Sequence, residues 1–110
     1  MNEKCQIIVS EPWDYENSEG KNLITGRILK RVGTRGFVFL SDTPLEIDGS
    51  VRNILLLSNR FEYTNDIPEK ESLAVNGGVL TIDYHDGLTE ETLRQNSKFI
   101  IIGDLKKMRR

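Results

Sequence analysis

NLITGRILKRVGTRGFVFL, residues 22–40, places two apolar stretches on either side of a basic, glycine-containing bend. In the first arm Ile24, Gly26 and Ile28 alternate with Thr25 and Arg27, the two-residue period of a strand packed on one side. Leu29 breaks the alternation, so a bulge or a switch of buried face is expected near Leu29 to Arg31. Gly26 has no side chain to pack and marks a tight bend or a close backbone approach. Gly33 and Gly36 bracket Thr34-Arg35, which fits a hairpin connection of about three to five residues with a glycine at positive φ. Phe37 to Leu40 returns as a short apolar strand.

Outward from this hairpin the chain keeps the same character. Lys4 to Ser10 alternates, with Cys5, Ile7 and Val9 on the buried side. Ser41 to Ser50 carries Pro44 and Asp48-Gly49 and is expected to be a turn-rich connector. Ile54 to Leu57 is uninterrupted and apolar, as in a strand covered on both faces. Arg60 to Tyr63 alternates again. Ser72 to Val75 and Val79 to Tyr84 flank Asn76-Gly77-Gly78, a hairpin signal. Thr89 is a suitable N-cap, with Glu90 and Glu91 at the positive end of a short helix and Leu88 and Leu93 in staple positions. Asn96-Ser97 ends that helix, and Lys98 to Ile102 forms a last strand. The sum is a mainly-β domain over residues 1–110: a small antiparallel barrel or sandwich of about seven or eight short strands, one short helix near the C-terminus, and a basic tail over 104–110.

Composition narrows the class further. The 110 residues are 37% hydrophobic and 29% charged, ordinary for a folded chain and too apolar for a disordered one. No run approaches the roughly 18–20 apolar residues of a membrane span. The single cysteine excludes an intrachain disulfide, and with no apolar leader after Met1 the expected location is cytoplasmic. A net charge of −2 conceals five acids in residues 1–20 (Glu3, Glu11, Asp14, Glu16, Glu19) and five bases in residues 21–40 (Lys21, Arg27, Lys30, Arg31, Arg35).

Few residues suit catalysis. His85 is the only histidine, so any Ser-His-Asp or Cys-His arrangement would depend on it. Asp83 and His85 would share a face of an extended chain, yet no cysteine or second histidine lies near to complete a zinc set. The chain contains no phosphate-cradling glycine motif. Arg27-x-x-x-Arg31 and Arg31-x-x-x-Arg35 invite comparison with PilZ-type cyclic-dinucleotide barrels. The D/N-x-S-x-x-G element which that family also needs is absent after Arg35, so the spacing assigns no family. No cofactor and no metal are expected.

Two binding readings remain. The loop Glu11 to Lys21, EPWDYENSEGK, holds Trp13, Asp14 and Tyr15 among acids. Trp13 either folds back to cap the core or, with Tyr15, anchors a protein partner. The leading expectation is a non-enzymatic protein-binding module of adaptor, inhibitor or immunity type. The alternative is a nucleic-acid-binding barrel using the hairpin 27–35 through Arg27, Lys30, Arg31 and Arg35, beside Phe37 and Phe39. A small hydrolase or metal enzyme built on Asp83 and His85 is a third, weaker expectation.

Overall fold

The hairpin of residues 22–40 becomes two neighbouring staves of a closed barrel. The computed structural model describes residues 3–17, 19–47 and 49–108, and of residue 47 the backbone alone. Six strands, β1 (Glu3–Glu11), β2 (Leu23–Val32), β3 (Gly36–Ile47), β4 (Ser50–Asn59), β5 (Leu73–Leu80) and β6 (Ser97–Lys107), pair antiparallel in chain order, and β6 closes on β1. Closure gives every strand two neighbours, and the outer ends of β3 and β4 run past β2 and β5 as a two-stranded arm. One helix, α1 (Glu90–Gln95), lies between β5 and β6.

Alternation fills the interior. Cys5, Ile7 and Val9 of β1, Ile24 and Ile28 of β2, Phe37 and Phe39 of β3, and Leu55 and Leu57 of β4 belong to one buried cluster. So small a barrel has room for side chains and no channel. Phe37 and Phe39 are core residues, with none of their surface exposed. Gly26 is the close approach expected: a Cβ there would run into the Leu40 carbonyl oxygen and the Phe39 ring.

A second, smaller core sits outside the barrel. The β2–β3 register shifts between Ile28 and Lys30, and beyond this bulge Leu29 and Val32 pack on the outer face. There they join Val38, Ile54, Leu56 and Leu80 under Leu93 of α1. Both faces of β3 and β4 are therefore covered, which explains the unbroken apolar runs 37–40 and 54–57. Thr89 caps α1, its hydroxyl oxygen accepting from the Thr92 amide at 3.1 Å. Leu88 packs beside Leu93 as the staple requires.

The barrel differs from the expected seven or eight strands at three places. Asn76-Gly77-Gly78 is strand interior, so the proposed hairpin is the single strand β5. Gly77 faces inward, where a Cβ would stand 2.7 Å from Ile101 Cγ1. This glycine serves crowding, and positive φ occurs instead at Gly20, Gly33 and Gly49. Residues 60–63 are a turn: buried Asn59 accepts from the amides of Phe61 and Glu62, both at 3.1 Å. A side chain that satisfies two successive amides bends the chain off the ladder. Ser41 to Ile47 extends β3 across a register shift in its pairing with β4. Asp48 lies outside the described residues.

The basic tail is also shorter than expected. β6 runs to Lys107, which pairs with Cys5 and so belongs to the barrel wall. Arg109 and Arg110 lie outside the described residues. No helix among the described residues is long and apolar enough to cross a membrane.

Candidate functional site

The candidate residues fall into four separate surroundings. Trp13, Asp14 and Tyr15 lie on the β1–β2 connection. A peptide bond in the cis form joins Glu11 to Pro12, and the Tyr15 amide donates to the Pro12 carbonyl at 3.1 Å. Asn17 holds the other limb, its side-chain oxygen accepting from the Glu19 and Lys21 amides at 2.8 and 3.0 Å. Its own amide donates to the Lys21 carbonyl at 2.7 Å.

Tyr15, not Trp13, folds back onto the barrel. Its ring packs against the main core and shares a small hollow with Pro12, Leu45 and Ile101. Burial pushes its phenol pKa above the ordinary value. Trp13 is 88% exposed, and Asp14 is exposed beside it. The loop is thus pinned at both limbs and through Tyr15, while the indole stands in solvent. Glu11, Asp14, Glu16 and Glu19 make no ion pair with any described residue.

The arginines expected to form one basic strip do not meet. Arg27 is exposed on the outer face of β2. Arg31 pairs across the ladder with inward-facing Phe37, so its side chain enters one mouth of the barrel. There Arg31 Nη2 donates to Glu3 Oε1 at 2.9 Å and Nε to the Asn65 carbonyl at 2.7 Å. Lys107 joins this plug, with Nζ 3.4 Å from Glu3 Oε2 and 2.8 Å from Glu69 Oε1. The bond to Glu69, then the neighbouring Glu3, raise the Lys107 pKa. The bulge at Leu29 turns Arg31 inward, and its position made it look like a surface charge. Lys30 is engaged elsewhere, donating to the Asp86 carbonyl at 3.2 Å.

Arg35 occupies the β2–β3 turn with its guanidinium 5.0 Å from the centre of the Tyr63 ring. Arg60 stands likewise over Phe61 at 4.9 Å. Beside Arg35 a depression of about 500 Å³ opens on the outer wall. Its floor is Leu56, Ser58, Asn76 and Gly78, and Arg94 and Phe99 stand at its sides. Gly78 leaves the space, and α1 stops short of Phe99, which is 60% exposed. Arg94 is engaged by Glu90, with Nη2 at 2.8 Å. Arg35 and Arg60 form no ion pair with a described residue, and the side chains of Ser58 and Asn76 have no hydrogen-bond partner there. Sequence reasoning missed this region because Phe61 and Tyr63 mimic strand alternation and the glycine pair mimics a turn.

Asp83 lines a small cleft with Arg52, Ile54 and Tyr84, and His85 is not among its walls. Both are exposed; Asp83 lies 4.0 Å from Arg52, and His85 Nδ1 accepts from the Gly87 amide at 3.1 Å. Among the described residues no three His, Cys, Asp or Glu side chains are grouped to hold a metal ion. Cys5 is buried, and desolvation raises its thiol pKa to about 11, with the Glu3 charge adding to the rise and Lys107 and Arg31 opposing it. Such a thiol has little nucleophilic character. No protein-family model, curated protein or solved structure matches the chain.

Proposed function

We propose that the chain is a non-enzymatic, cytoplasmic protein-binding module of adaptor, inhibitor or immunity type that engages its partner through Trp13, Asp14 and the loop around them. One observation carries this reading: Trp13 is 88% exposed on a loop whose neighbouring Tyr15 is anchored in the core. An exposed tryptophan on a pre-ordered backbone offers large contact area at small conformational cost on binding. The acids around it, outside any ion pair with a described residue, favour a partner with a basic rim. Arg27, Arg31 and Arg35 contribute little to this reading, because they face three different surroundings.

The test is capture of partners by tagged chain, comparing wild type with Trp13→Ala and with an exposed control, Val51→Ala. The reading expects a partner held by wild type and control and lost with Trp13→Ala, a change of about 2 kcal/mol or roughly 30-fold in Kd. Retention of every partner by Trp13→Ala defeats it. The second reading, nucleic-acid binding through the hairpin 27–35, keeps support only from Arg35, stacked on exposed Tyr63. It expects a mobility shift with single-stranded oligonucleotide that weakens steeply with salt.

A further inference from the structure

The same chain carries an acidic aromatic projection and a basic aromatic hollow, and neither is satisfied within it. The projection is the Trp13 loop, with an indole in solvent and four carboxylates outside any ion pair with a described residue. The hollow is the outer-wall depression beside Arg35, floored in part by Ser58 and Asn76 and walled by Phe99. It offers an exposed ring, a guanidinium outside any ion pair with a described residue, and hydroxyl and amide groups uncommitted among the described residues. It is open to solvent and, at about 500 Å³, roomy enough to admit a large side chain.

We infer that this depression receives the Trp13 loop of a second copy of the chain, so that copies associate head to tail. The inference rests on the proposed role of that loop as the docking element. The indole would lie against Phe99 over Gly78, and a carboxylate flanking Trp13 would face Arg35. Trp13 does not occupy its own depression, since it is almost wholly exposed. The loop also leaves the barrel at the end opposite the β2–β3 turn that carries Arg35.

Charge balance favours this occupant over a polyanion. Glu62 lies between the two exposed rings, and Glu90 neutralises Arg94. A strand of phosphates would meet these acids along its length, whereas a short segment can set one ring against Phe99 and one carboxylate on Arg35. Head-to-tail contacts are heterologous, so each pair keeps a free loop at one end and a free depression at the other.

Sedimentation analysis of the full chain, up to about 1 mM because so small a contact would be weak, tests the inference. Wild type should gain mass with concentration, less so in high salt. Trp13→Ala and the double variant Arg35→Glu/Phe99→Ala should each stay monomeric, with self-association weakened about tenfold or more. Mixed in equal amounts, these two variants should form a one-to-one pair and nothing larger, because the mixture holds one intact loop and one intact depression. Circular dichroism of each variant establishes that it is folded. A wild type that stays monomeric throughout, a mixture that forms no pair, or self-association unchanged by Trp13→Ala overturns the inference. So does binding of single-stranded oligo-dT that Arg35→Glu/Phe99→Ala abolishes and Trp13→Ala leaves intact. The two readings fail separately: monomeric wild type removes the assignment of the depression, whereas partner capture that survives Trp13→Ala removes the role of the loop.

Discussion

Replacing Arg31 with Met separates a structural arginine from a surface one. Among the charge-assisted hydrogen bonds of the guanidinium are those to Glu3 at 2.9 Å and to the Asn65 carbonyl at 2.7 Å. Bonds of this kind contribute roughly 1.5–3 kcal/mol each when shielded. Here the Arg31 and Glu3 side chains each keep 25% of their exposure, and screening reduces the value of the pair. Breaking a fully buried pair costs about 3–5 kcal/mol because one charge is stranded. Glu3 would not be stranded entirely, since Lys107 lies 3.4 Å from its second oxygen. The expected loss for Arg31→Met is therefore about 2 kcal/mol, close to a 1 M decrease in urea midpoint for a slope of about 2 kcal/mol/M. Arg27→Met, on the outer face, should change stability by no more than about 0.5 kcal/mol. Urea titration followed by far-ultraviolet circular dichroism measures both. A Glu3→Gln/Arg31→Met cycle should return a coupling of about 1 kcal/mol or more. Equal midpoints for Arg31→Met and Arg27→Met would refute the plug and return Arg31 to the surface.

Other perturbations probe the rest of the fold. Gly77→Ala forces a methyl group to within 2.7 Å of Ile101 and 3.0 Å of Leu57 and should cost about 1–3 kcal/mol by overpacking; a midpoint at or above wild type would contradict the crowding. Leu93→Ala empties the small core beneath α1 and should cost about 2–5 kcal/mol, with faster amide exchange confined first to residues 88–96. Cys5 should resist a thiol reagent at pH 8 in the folded chain and react once urea unfolds it. Because the folded thiol, at about 11, holds its proton more tightly than the ordinary 9.0, its contribution to stability is complete below about pH 9. That contribution should disappear as pH rises from 9 to 11, and a Cys5→Ala chain should lack that part of the alkaline slope.

How much of this was legible follows from which forces are local. Alternation in β1 and β2, the helix cap at Thr89 and the glycine turn at Gly33 depend on neighbours within a few residues, and each appears as expected. The continuous runs 37–40 and 54–57 also announced double coverage, although not that a two-turn helix supplies the second cover. The misreadings all concern side chains whose role is set across the barrel. Gly77 and Gly78 resemble a turn until Ile101 and Leu57 crowd the first, and Ser97 the second, from other strands. Arg31 resembles a surface base until a bulge two residues earlier turns it toward Glu3. Trp13 was the natural core cap by size, yet Tyr15 holds that place because the Pro12 turn directs the second aromatic inward. The depression beside Phe99 forms from five different segments, and no local pattern could announce it.

The sole tryptophan gives the most direct test of the docking loop. Its fluorescence in dilute wild-type chain should match an indole in water and be quenched freely by iodide. It should then move to shorter wavelength and become shielded when the chain associates with its partner. An emission already shielded in the dilute chain, or one unmoved in the complex, would contradict the role assigned to Trp13.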